Sequence, residues 1–100
     1  MQTGRNEHRD AMNVAATVRS AAAPLVVEHV WIQNISNRGA RIHCHRTWHP
    51  SDQLVLTTPL GDLHADAIVV YCQRLSADEC AVGLKFERPL AAGTKIFGVP

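Results

Sequence analysis

At 100 residues the chain is long enough for one hydrophobic core and too short for two. With 46% hydrophobic and 19% charged residues it is globular in composition rather than disordered. A net charge of +1 and 5% aromatic residues argue against a DNA or RNA coat protein, and no apolar run approaches the roughly 18 residues of a membrane span.

Residues 1–11 are polar, with Arg5, Asn6, Glu7, His8, Arg9 and Asp10 in succession, and are expected to form a flexible arm ahead of the fold. The start, Met1-Gln2-Thr3-Gly4-Arg5, lacks the apolar stretch of a secretory signal. Three cysteines without CxxC spacing suggest reduced thiols and a cytoplasmic protein.

From Met12 the pattern changes. Val14, Ala16 and Val18 alternate with Ala15, Thr17 and Arg19, the period of a half-buried strand. Ser20 to Pro24 should turn the chain, since three alanines before a proline cannot nucleate a helix. Leu25 to Gln33 is β-branched and apolar on both faces, which predicts a well-covered strand. After a loop over Asn34 to Gly39, Ala40, Ile42 and Cys44 should point inward and Arg41, His43 and His45 outward. His49-Pro50-Ser51-Asp52 is turn chemistry, Leu54 and Leu56 face the core, and Pro59 to Asp62 turns again.

The longest strand is expected from Leu63 to about Cys72, with Leu63, Ala65, Ala67, Val69 and Tyr71 on one face. Beyond a polar hairpin over Arg74 to Glu79, Val82, Leu84 and Phe86 pack inward while Gly83 and Lys85 point out. The tail holds Pro89, Gly93 and Pro100 and has room for a helical turn or a short strand, not a long helix. Six strands at this spacing predict an all-β antiparallel barrel or sandwich, and a six-stranded closed barrel over residues 12–88 suits the small β-branched core because closure removes exposed edges; a tail over 89–100 follows, with little or no C-terminal helix.

Several residues invite functional readings that their spacing weakens. His43, His45 and His49 surround Cys44, yet alternation turns Cys44 away from the histidines and no fourth ligand sits at a customary distance, so no metal site is expected. Cys72 and Cys80 flank a hairpin, but the same alternation places them on opposite faces and argues against a bridge. Ser36 has no evident histidine and carboxylate partners. Asp52, Asp62, Asp66, Asp78 and Glu79 sit in turns or on outer faces, so no enzymatic activity is expected. Trp31 and Trp48 suit core or rim packing, or an exposed platform.

Two stretches remain: Arg5-x-x-x-Arg9 and Asn34-x-Ser36-x-x-Gly39. Each has an ordinary explanation. Arginines at i and i+4 are common on solvated surfaces, and Asn34 or Ser36 forms a local turn with Gly39 supplying φ > 0. Together they suit a compact anion with planar hydrogen-bonding edges, because a guanidinium fork matches both phosphate oxygens and the O6/N7 edge of guanine.

With Gly83-Leu84-Lys85-Phe86 in the last strand, this combination resembles the PilZ domain family, whose signature is RxxxR, a spacer, then [D/N]xSxxG. Here residues 10–33 form the spacer, and the resemblance spans about residues 5–88. It implies a six-stranded barrel that binds the bacterial second messenger cyclic di-GMP, needs no cofactor and signals to a downstream protein partner. Carried over by position, it implies that Arg5 and Arg9 hold phosphates and guanine edges, that Asn34 and Ser36 hydrogen-bond the ligand, and that Gly39 keeps the loop open beneath it. The arm is expected to fold onto the barrel mouth beside the Asn34–Ser36 corner. Arg38 and Arg41 are not signature residues and are expected to face water. With four residues ahead of Arg5 and a short tail, binding without domain rearrangement is the expectation. The alternative is a degenerate barrel of the same shape that binds a protein and no nucleotide.

Overall fold

The computed structural model describes residues 13–59 and 63–90. Six strands, β1 (Val14–Ser20), β2 (Val27–Ile35), β3 (Gly39–Cys44), β4 (Gln53–Thr57), β5 (His64–Ser76) and β6 (Glu79–Phe86), close into an antiparallel barrel in the order β1-β2-β3-β6-β5-β4. The all-β, six-stranded expectation holds. The expected arm, the tip of the Pro59–Asp62 turn and most of the tail lie outside the described residues.

Alternation along each strand fills the interior. Val18, Ile32, Ile42, Leu54, Leu56, Leu63, Val69 and Val82 are all fully buried, and Phe86 and Trp48 close around them. With so few aromatic residues, the core is made mostly of branched aliphatic side chains, with alanines and cysteines between them, which suits a small barrel.

One end of the barrel gathers the start of β1, the β2–β3 connection, the β4–β5 connection and the exit from β6. The other end is organised by Glu28. Its Oε2 accepts the backbone N–H groups of His45 (2.7 Å) and Arg46 (3.0 Å), and its Oε1 accepts Trp48 Nε1–H at 3.0 Å. One carboxylate thus fastens the β3–β4 connection to β2 and holds the Trp48 ring against the core.

Three expectations fail for identifiable reasons. The second strand is not well covered: Leu25 is 98% exposed and Val27 and Trp31 about half so. Val26, Val30 and Ile32 take the inward positions, so Val27 and Trp31 fall on the outer wall, which no second layer of the described residues covers. Tyr71 does not share the inward face of Val69, because the register shifts between them and the extra residue, Val70, reverses the alternation. The same shift turns Cys72 toward the core, which removes the facial argument that separated it from Cys80.

Burial pushes the Cys44 thiol from 9.0 up to about 12, with Glu28 and the other two thiols adding to the effect. A raised pKa means the folded state holds the proton more tightly. The stabilisation from the neutral thiol is complete below pH 9.0 and is lost as pH rises toward 12. Cys44→Ala is therefore expected to lose less of its denaturation midpoint than the wild type over that window, measured by urea titration at stepped pH.

Candidate functional site

The corner between β2 and β3 is tighter than its sequence suggests. Asn34 and Ile35 belong to β2 and Gly39 opens β3, so the connection is Ser36 to Arg38 alone. Ser36 N–H donates to the Gly39 carbonyl (2.9 Å), and Ser36 Oγ accepts the Arg38 N–H (3.2 Å). The Ser36 side chain thus makes the local turn of the ordinary reading, with its hydroxyl proton still available. The carbonyls of Asn37 and Arg38 accept N–H groups from Leu90 and Phe86, both at 2.8 Å, which fastens the corner to the chain leaving β6.

Gly39 is required for space rather than for a left-handed backbone. A Cβ there would run into the Leu84 carbonyl oxygen of β6. The close approach is to the neighbouring strand, and the φ > 0 expected of this glycine is not found.

Two bulges shape the wall beside the corner. Simple alternation from buried Ile32 would turn Asn34 into the core. A register shift between them makes Gln33 the extra residue, so Asn34 faces out and Ile35 packs inward. The shift at Val70 does the same for Tyr71 on β5. Asn34 lies opposite Arg41, Arg41 opposite Gly83, and Gly83 opposite Tyr71. The result is an outward row, Asn34–Arg41–Gly83–Tyr71, crossing four strands over about 14 Å at the usual strand spacing.

A Cβ on Gly83 would strike the Tyr71 ring, so that ring lies flat over the glycine and covers it. An amide, a guanidinium and an aromatic ring therefore share one patch, with Ser36 and Gly39 at its edge. Lys85, opposite Gly39, adds a second cation. The ion pairs among the described residues are His43–Glu79 and His49–Asp52, and neither involves Arg38, Arg41 or Lys85. Arg41 is half-buried on the patch rather than simply solvated, which departs from expectation.

The PilZ domain family profile matches residues 3–96. The chain belongs to the PilZ domain family. No curated protein and no solved structure matches it.

The PilZ family as a whole comprises cyclic di-GMP receptors and adaptor domains rather than typical enzymes. Of the five signature positions, the structure brings Asn34, Ser36 and Gly39 to one corner, whereas Arg5 and Arg9 lie outside the described residues. Val14, the first residue of β1, lies opposite Ile32 of β2. The chain therefore enters this PilZ barrel at the corner end, on the strand next to Asn34.

Ile35, Ala40 and Leu90 pack onto the core at the corner end. The arm expected to fold onto the mouth lies outside the described residues.

Tyr71 was beyond simple sequence reading because alternation assigns it inward. The signal that could have found it was Gly83, since a glycine inside a strand marks close approach by another group. Elsewhere the histidines are locally occupied. His45 Nδ1 lies 2.8 Å from the Asp78 carbonyl and His43 Nε2 lies 3.6 Å from Glu79. The two tryptophans do not form one platform, because Trp48 is buried and Trp31 half-exposed.

Proposed function

We propose that this PilZ domain is a cytoplasmic receptor for cyclic di-GMP, bound on the outer wall at Asn34, Ser36 and Gly39, with Arg5 and Arg9 supplying two guanidinium forks from the segment ahead of β1. The observation that carries this reading is the row Asn34–Arg41–Gly83–Tyr71, in which two bulges turn an amide and an aromatic ring out onto the face that carries a guanidinium. Its chemistry matches the ligand. Guanine offers a π-face to Tyr71 and an acceptor edge to a guanidinium, and the phosphates take charge-assisted bonds from arginine. Ser36 and Asn34 supply shorter hydrogen bonds at the corner.

Arg9→Ala is expected to cost on the order of 2–5 kcal/mol of affinity for cyclic di-GMP, because it removes one member of a desolvated charge pair. Titration calorimetry showing wild-type affinity in that variant rejects the assignment.

A second reading is a protein-binding barrel that takes no nucleotide, favoured by the exposure of Leu25, Trp31, Val70 and Leu75. Titration separates the two. Binding of cyclic di-GMP, but not of GMP or oligonucleotides, supports the receptor, and silence supports the protein-binding module.

A further inference from the structure

The three cysteines of the chain come from three strands to the end of the barrel held by Glu28. Cys44 of β3 and Cys80 of β6 are direct cross-strand partners, and both are 1% exposed. Cys80 also lies opposite Arg74 of β5, which places Cys72 diagonally across from it. The bulge at Val70 turns Cys72 inward, onto the core that holds Cys80. All three thiols are free.

We propose that Cys72 and Cys80 are a reversible dithiol–disulfide pair, oxidised by a low-molecular-weight disulfide. The three thiols are not equivalent. Cys44 is sealed in the core, donates to the Arg46 carbonyl at 3.3 Å and is a poor thiolate former. Cys72 is half-buried and open to solvent on one side. Burial raises its pKa and the Cys80 thiol adds to the rise, while the Trp48 backbone N–H and the Arg74 guanidinium act in the opposite direction. Arg74 is itself held in place by the Ala77 carbonyl (3.0 Å) and Thr47 Oγ1 (3.1 Å).

The Cys72 thiolate attacks one sulfur of the small disulfide, forming a mixed disulfide and expelling one thiolate. The Cys80 thiolate then attacks the Cys72 sulfur, closing the protein disulfide and expelling the second thiolate. The protein loses two electrons and two protons, and the small disulfide is reduced to two thiols that take up those protons. The bridge closes around the β5–β6 hairpin tip and fixes the bulged segment that sets Tyr71 outward.

The test is equilibration of the full native chain with excess oxidised glutathione, followed by acid quench, intact mass and peptide mapping. The expected result is a loss of two hydrogen atoms, a fall in titratable thiols from three to one, and a peptide linking Cys72 to Cys80. Dithiothreitol restores all three. Cys44→Ala is expected to form the same bridge, and Cys72→Ser to keep both remaining thiols. Retention of three titratable thiols, a glutathione adduct that persists on Cys72, or a bridge mapped between Cys44 and Cys80 overturns the proposal. The map of the wild-type chain decides the matter even if a variant folds poorly.

Discussion

Glu28→Ala is expected to lower the unfolding free energy by about 2–4 kcal/mol, one of the two largest losses from a single substitution outside the apolar core. The carboxylate accepts three N–H groups, from His45, Arg46 and the Trp48 indole. Each is a charge-assisted bond, and the indole donor is partly buried, so removing the acceptor leaves it without a protein partner. The connection from Arg46 to Trp48 is tied to β2 only through this side chain among the bonds described here. Loosening it releases the ring that seals this end of the core. Glu28→Gln keeps one oxygen acceptor and is expected to lose less. Urea denaturation followed by tryptophan fluorescence reads both effects. A loss below about 0.5 kcal/mol, the range of an ordinary surface substitution, would show that the network is dispensable.

Gly39→Ala is the second large effect, about 2–4 kcal/mol, and its cause is steric. The new methyl group would meet the backbone carbonyl of Leu84, which cannot rotate away as a side chain can. β3 and β6 must part, which strains their cross-strand pairs from Gly39–Lys85 to Cys44–Cys80. Gly83→Ala provides the contrast. There the obstacle is the Tyr71 ring, which can swing aside at a cost of about 0.5–1.5 kcal/mol. The first variant should therefore melt much earlier than the second, while the second chiefly displaces the aromatic member of the wall. Equal melting temperatures in scanning calorimetry would contradict this ordering.

The architecture was legible because alternation is a strong signal wherever strands are regular. β1, β3, β4 and β6 fall where Val14–Val18, Ala40–Cys44, Leu54–Leu56 and Val82–Phe86 place them. Legibility stops at the bulges. A single extra residue at Gln33 or Val70 reverses every later side chain on the strand, and neither residue type announces it. Asn34 was assigned to the site by its motif, although alternation from Ile32 would have buried it. Tyr71 had no motif to rescue it and was misplaced, and Cys72 with it. The exposure of β2 has another cause: its apolar residues occupy both faces of the strand, and local sequence does not reveal that the outer face lacks a covering layer among the described residues. Gly39 was recognised as special, but the Leu84 carbonyl that demands it comes from a strand more than forty residues away in sequence.

The most direct test of the receptor reading is amide chemical-shift mapping of the full chain during titration with cyclic di-GMP. Saturable shifts are expected at Ser36 to Gly39, Arg41, Tyr71 and Gly83, together with Arg5 and Arg9, while the amides of β4 stay in place. Unchanged spectra at a large excess of ligand, or shifts confined to the β1–β4 wall, would contradict it.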